Sequence, residues 1–400
     1  AWSPSLLLAT DPPGENLIND PWATTHGGTG IEYFSYINPT FTCASLGGDN
    51  VATLAAGLPW TTGSTCLVPG DGPTSYSDLG ASAIYYSVTR ENPTTSETWS
   101  WVSRLAPCIG GTPGGPGCPL AWEQLAYTKP GAHNSVVVNP CTHHPIVLDR
   151  NRLNDSIVYT IFDIHGNPTS PLAHKADEDA LRTPNDNCGG IPCVNGEICR
   201  CGDLNSEDCG PVGQCLDINP RVHGAVRFDQ DSGKCFLYLA YDRASPDPGH
   251  FWKVRLKILD ITDESLAPNL PEIDTVDSAP AEMAWNDFSP SIVVDYFSEA
   301  VGLFYYRQES GNPCTTSYRG LIRATDGALF TDTEPLSGTF RALIAPGVNG
   351  LGHYVSGVRF TEPGRLLPAW SQPIPTNEAC TKCDQDQNWS VAVFTAGVRP

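Results

Sequence analysis

Along this chain short apolar runs alternate with tight clusters of turn residues, and the three-to-four-residue spacing of an amphipathic helix is scarce. One phrase recurs: a short apolar strand, an acidic turn, then a strand rich in Tyr, Phe and aliphatics. It is clear in "HHPIVLDRNRLNDSIVYTIFD" (143–163), "HGAVRFDQDSGKCFLYLAYD" (223–242) and "SPSIVVDYFSEAVGLFYYR" (289–307). Asp149, Asp229 and Asp295 close the first strand of each copy. Weaker copies are "DPWATTHGGTGIEYFSYI" from Asp20 and "VSGVRFTEPGRLLPAWSQ" from Val355.

Apolar runs of this length, bounded by turn residues, predict strands. Repeated hairpins that are too few and too irregular for a solenoid predict an all-β chain folded as a β-propeller, with a decorated β-sandwich as the alternative. Each hairpin supplies strands A and B of a blade, lettered outward from the axis. The segments "ASAIYYSV", "WKVRLKILDI" and "RGLIRATD" then supply strand C, and "WSVAVFTAG" does so in the last blade. The N-terminal "SLLLAT" adds that blade's outer strand and closes the ring. The count is five blades, with a sixth left open in the loops. Residues 1–400 form one propeller domain, with insertions expected at 38–80 and 185–216 on one face.

Composition narrows the setting. Gly 38 and Pro 36 suit short strands joined by many turns. Lys+Arg 23 against Asp+Glu 44 gives a net charge of −21. Such a surface repels nucleic-acid phosphates and anionic lipid, and suits bound cations or plain solubility. No run is long and apolar enough to span a bilayer. No signal peptide is visible, and a chain beginning at Ala1 fits a mature secreted, extracellular or periplasmic product.

Fifteen cysteines without a metal-cluster motif indicate an oxidising compartment and several disulfides. The expected pairs are Cys43 with Cys66 and Cys108 with Cys118. Cys188, Cys193, Cys199, Cys201, Cys209 and Cys215 are expected to pair among themselves. They would hold an EGF-like or knottin-like knob too poor in apolar residues to have its own core. The odd count leaves at least one thiol free or joined to another chain.

The phrases "HPIVLD…SIVYTIFD", "SPSIVVD…VGLFYY" and "GHYVSGVRFTEPGRLLPAWSQ" resemble the hairpins of the sialidase-like, BNR-repeat propellers. The family's Asp box, Ser-x-Asp-x-Gly-x-Thr-Trp, is worn here. "NPTTSETW" keeps Thr98 and Trp99, and "ATDGALF" keeps Asp326 and Gly327. The resemblance implies three arginines around a substrate carboxylate and a tyrosine nucleophile, which Tyr305 or Tyr306 would match. No arginine precedes Arg90, so the early arginine is missing and sialidase activity is not expected.

Aligning the repeats on their closing Asp brings Asp20, His143, His223 and Ser289 to equivalent positions where strand A meets the axis. His144 adjoins His143, and His353 stands near the same point in the last copy. Asp163 and Asp242 end strand B on that face, with Arg307 beside them. His143 and His223 are therefore candidate ligands of one transition metal or proton-transfer groups; the alternative is that they only hydrogen-bond the loops between blades. Cys141 is a further candidate for that metal or for a disulfide. Asp20, Asp163, Asp242 and Tyr306 are candidate catalytic groups of a glycoside-processing enzyme. Asp229 and Asp231 in one acidic turn, and Asp203, Asn205 and Glu207 in the cysteine-rich segment, offer alternating oxygens for calcium, or are solvated turns. Three functions stand open. The first is a secreted binding or assembly module for glycan or extracellular protein. The second is a glycoside-processing enzyme. The third is a metal or redox protein.

Overall fold

In the computed structural model the strands build six sheets around a common axis. The structure describes residues 6–10, 19–26, 31–38, 48–54, 61–65, 71–78, 83–91, 98–105, 122–128, 134–151, 156–169, 174–177, 187–188, 191–192, 197–200, 214–217, 222–244, 252–277, 285–294, 301–309, 312–323, 355–362, 365–373, 389–393 and 396–397.

Blade 1 runs Asn19–His26, Ile31–Asn38, Gly48–Leu54 and Thr61–Thr65. Blade 2 runs Asp71–Asp78, Ala83–Glu91, Thr98–Leu105 and Trp122–Thr128. Blade 3 is Ser135–Val138, Pro145–Asn151, Ser156–Ile161 and His174–Asp177. Blade 4 is Val222–Asp229, Lys234–Ala244, Trp252–Asp260 and Glu272–Asp277. Blade 5 has three strands among the described residues, Trp285–Val294, Val301–Glu309 and Asn312–Arg323. Blade 6 joins Val355–Glu362, Arg365–Pro373 and Trp389–Val393 to the N-terminal Leu6–Thr10, the expected closure. The first strand of each blade packs on that of the next, and blade 6 packs back on blade 1. The chain is thus an all-β propeller, and six is the larger of the two blade numbers left open by the sequence.

The ring explains the apolar runs. A blade has a neighbour on both faces, so its strands lack the in–out alternation of a one-sided sheet. Every residue of Ser135–Val138 and Ser156–Ile161 is buried. Ala225, Tyr238, Ala240, Val254, Leu256 and Ile258 of blade 4 pack with Ile292, Leu303 and Tyr305 of blade 5. Tyr305 is therefore a core residue, 3% exposed, and not a nucleophile. At Gly224 the innermost strand of blade 4 comes so near blade 3 that a Cβ would lie 2.3 Å from Leu148 Cδ1.

Two expectations are corrected. Residues 38–80 are no loop insertion: they hold two strands of blade 1 and the first strand of blade 2. These strands are built from Thr, Ser, Gly and Asp with few large apolar side chains, which hides them from a hydrophobic pattern. The phrase at 143–163 is also not an A–B hairpin. The short run Ser135–Val138 is strand A, so Pro145–Asn151 and Ser156–Ile161 are strands B and C. Of the insertion expected at 185–216, the described residues are four short strands that pair with no blade. Its short ribbons pair only with each other, Asn187–Cys188 with Ile191–Pro192 and Glu197–Arg200 with Gln214–Asp217, setting Cys199 opposite Cys215.

Candidate functional site

In a propeller, D–A and B–C connections share one face, here the upper, and A–B and C–D connections share the lower. The one-strand shift in blade 3 therefore sends the candidates to opposite faces. His143 and His144 lie in the A–B turn of blade 3, on the lower face, whereas His223 is near the start of strand A of blade 4, on the upper face. Cys141 is bonded to Cys235, which pairs with Phe228. His223 lies five residues along the strand from Phe228, a rise of about 16 Å. One metal cannot span that gap, so the shared site of His143 and His223 is corrected. Cys141 is removed from any metal by its disulfide.

The lower-face residues form a clasp between blades 3 and 4. His143 turns the chain with φ 62°, a left-handed conformation that His tolerates better than most residues. That leaves His144 directed at blade 4, where its Nδ1 lies 2.7 Å from Glu264 Oε2. Thr142 Oγ1 and Asn139 Nδ2 donate to Glu264 Oε1 at 2.6 and 2.7 Å. Asn139 Nδ2 also donates to the Ile261 carbonyl at 2.9 Å. The paired histidines are thus a corner and a strut.

Asp163 belongs to the lower face too. Its carboxylate closes the turn 163–167, accepting from His165 N at 2.9 Å and Asn167 N at 2.8 Å. The side-chain bond from Asn167, chiefly, holds this carboxyl below its ordinary range. Asp229 and Asp231 lie in the A–B turn of blade 4. Asp229 accepts from Ser232 Oγ and from Arg227 Nη2, and the Ser232 bond is the main cause of its lowered pKa. Among the described residues no three His, Cys, Asp or Glu stand together as a metal cage. Asp203, Asn205, Glu207 and His353 lie outside the described residues, as do Cys43, Cys66, Cys108, Cys118, Cys193, Cys201 and Cys209.

The upper face gathers a different set. Blade strand B runs upward, so Asp242 stands near its upper end, 1% exposed. His223 is opposite Ala240, and Ala240 and Asp242 share one side of strand B. That side packs on blade 5, so His223 and Asp242 both face the seam between blades 4 and 5. His223, 4% exposed, accepts the Ile292 N–H at Nδ1, 2.8 Å away. An amide N–H only donates, so Nδ1 is the bare nitrogen and the ring proton is on Nε2. Neither nitrogen then has a lone pair for a metal, which removes His223 as a ligand.

Across the seam, the innermost strand of blade 5 carries Asp287 and Ser289 above Ile292, with Arg307 opposite Asp287 and Tyr306 opposite Phe288. The register shifts between Phe288 and Ser291, a bulge at the upper end. Asp20 is at the upper end of the innermost strand of blade 1. Asp20, Asp242, His223, Ser289 and Arg307 therefore share one face, and Asp163 does not.

The sequence reading missed a second upper-face cluster, between blades 3 and 4. Asp177 accepts from Tyr241 Oη at 2.7 Å, Arg243 Nε at 3.1 Å and Arg255 Nη1 at 3.3 Å. Arg255 grips Asp277 with two bonds of 2.6 and 2.9 Å. Burial pushes the Tyr241 phenol well above its ordinary range, and the nearby Asp177 carboxylate adds to the rise. Every charge named here has a partner, so the cluster reads as a strut. No local motif announces it, because its members come from four strands.

No family model matches the chain. No curated protein matches it. Among solved structures, an endo-arabinase from Bacteroides thetaiotaomicron is similar at 13% identity and TM-score 0.40, over 79% of this chain and 97% of that one. An exo-β-1,3-galactanase from Phanerochaete chrysosporium is similar at 10% and 0.43, over 80% and 65%. A mannose phosphorylase from Leishmania mexicana is similar at 14% and 0.38, over 80% and 88%. Likenesses this distant lend no weight to an activity, and the propeller here rests on its own strand order.

Proposed function

We propose that the upper face binds carbohydrate and that the chain acts as an extracellular binding module. The observation that carries this reading is the pair Asp242 and His223. A carboxylate and an imidazole are both buried on the same side of blade 4 at the upper end of an inter-blade seam, where apolar residues would pack at less cost. The Asp242 carboxylate suits sugar hydroxyls, which can donate to it, while His223 is engaged by the Ile292 N–H. Asp287, Ser289 and Arg307 add polar positions across the seam. The insertion expected at 185–216 follows the outer strand of blade 3, which ends on this face, and loops on a rigid scaffold are common recognition elements. The Cys141–Cys235 disulfide supports an oxidising, extracellular or periplasmic setting.

A glycoside-processing enzyme is the second reading, favoured by the placement of Asp20 and Asp242 on one face. Calorimetric titration against neutral and uronic-acid-bearing oligosaccharides tests both. Binding by the wild type, weakened about tenfold or more in Asp242→Asn, is expected. Release of reducing ends would move the assignment to the enzyme. Sialosides should stay intact, given the missing early arginine. A panel bound equally well by the variant would remove Asp242 from the site and sink the reading.

A further inference from the structure

We infer that His223 is a positioning residue: it fixes the bulged upper end of blade 5 and so sets the shape of the proposed carbohydrate site, on whose reading this inference rests. The innermost strand of each blade has no sheet partner on its axial side, and such an edge leaves backbone N–H groups without ladder bonds. Blade 4 treats this edge in blade 5 by side chain. The His223 ring crosses the seam and takes the Ile292 N–H at 2.8 Å, with the ring 4% exposed. Blade 3 treats blade 4 in the same way, where Ser135 Oγ accepts the Gly224 N–H at 3.4 Å.

The two bonds differ in what stands beside them. At Gly224 the strand registers evenly against its partner from Val222 to Asp229. At Ile292 the bond falls next to the register shift between Phe288 and Ser291. A bulge redirects the side chains that precede it, and its setting depends on what holds the strand on either side. Pro290, inside the shift, has no N–H to offer. Ile292 is therefore the near anchor after the bulge, and His223 is what it is anchored to. Upstream of that anchor lie Asp287 and Ser289, with Arg307 opposite Asp287.

The test compares His223→Ala, His223→Asn and His223→Gln in the full chain. Asn places its oxygen the same number of bonds from Cα as Nδ1, whereas Gln places it one bond further. Amide hydrogen exchange is read in peptides covering 285–294 and 301–309, with 134–151 as an internal control. Ala and Gln are expected to speed exchange in the first two about tenfold, the scale for a buried amide that loses its acceptor. Asn is expected to restore it to within about twofold. Affinity for the oligosaccharides bound by the wild type should follow the same order. Unchanged exchange in Ala overturns the inference, and so does equal exchange in Asn and Gln. If Ala does not fold, the Asn–Gln pair decides. If exchange responds as expected and the wild type binds no sugar, the carbohydrate reading fails and the anchoring of blade 5 by His223 stands.

Discussion

Gly224→Ala tests the close approach of blades 3 and 4 most directly. An added Cβ would sit 2.3 Å from Leu148 Cδ1, closer than real contacts allow, and 3.0 Å from Val137 Cγ1, a tight contact. Leu148 is 0% exposed and Val137 is 0% exposed, so neither side chain has solvent to move into. Overpacking of this kind costs about 1–3 kcal/mol, and the buried setting argues for the upper half of that range. Leu148→Ala alone leaves a cavity and costs about 2–5 kcal/mol. Combined, the new methyl occupies part of the space that the leucine vacates. The double variant should therefore be more stable than the sum of the two losses implies, by about 1 kcal/mol or more. Urea unfolding followed by tryptophan fluorescence gives the midpoints of all four proteins. Strict additivity, or a Gly224→Ala variant as stable as the parent, would show that the strands do not approach as closely as described.

Acid should loosen the two outer strands of blade 4, which Arg255 and Asp277 tie together. Burial raises the pKa of Asp277, but the two Arg255 bonds outweigh it and leave the carboxyl below its ordinary value. A depressed carboxyl contributes stability above the unfolded pKa of about 3.9 and loses it as pH falls through the lower folded value. Arg255→Gln should therefore lower stability at neutral pH and flatten its dependence below about pH 4, read by urea midpoints across pH 2–7; an unaltered acid limb would contradict the assignment. Removing the disulfide by Cys141→Ser with Cys235→Ser should cost a few kcal/mol, at most about 4.7 for a closed loop of roughly one hundred residues. Peptide mapping of the unreduced protein checks the link itself, and recovery of Cys141 joined to any other cysteine would refute it.

The sequence displayed the blades whose strands are buried on both faces. Those strands must be apolar throughout, and "PIVL", "SIVYTI" and "CFLYLAY" state it openly. It concealed strands made of small polar residues, such as Gly48–Leu54 and Thr61–Thr65, so a blade's worth of chain passed for a loop. The four-residue strand Ser135–Val138 was too short to stand out, and overlooking it shifted blade 3 by one strand. In a meander every hairpin has the same period, so local pattern cannot say whether a hairpin is A–B or B–C. That ambiguity moved His143 and Asp163 to the wrong face, while Asp242 and His223 kept their places. The clasp around Glu264 and the partner of Cys141 were beyond local reading, since they join positions 120 and 94 residues apart.

The closure of blade 6 bears on how the molecule is made. Leu6–Thr10 leaves the ribosome long before Trp389–Val393, the strand that receives it. Until then the newborn ring is a horseshoe, with a waiting N-terminal strand and an unsatisfied face on blade 1. Pairing across so long a span is slow, because the entropy of loop closure is spent before the contact repays it. The five earlier blades can settle one upon another as they emerge, but the last step is a single latch. Cells producing this chain would need to shield that strand during translation, and truncation anywhere before Trp389 would leave the latch with nothing to catch.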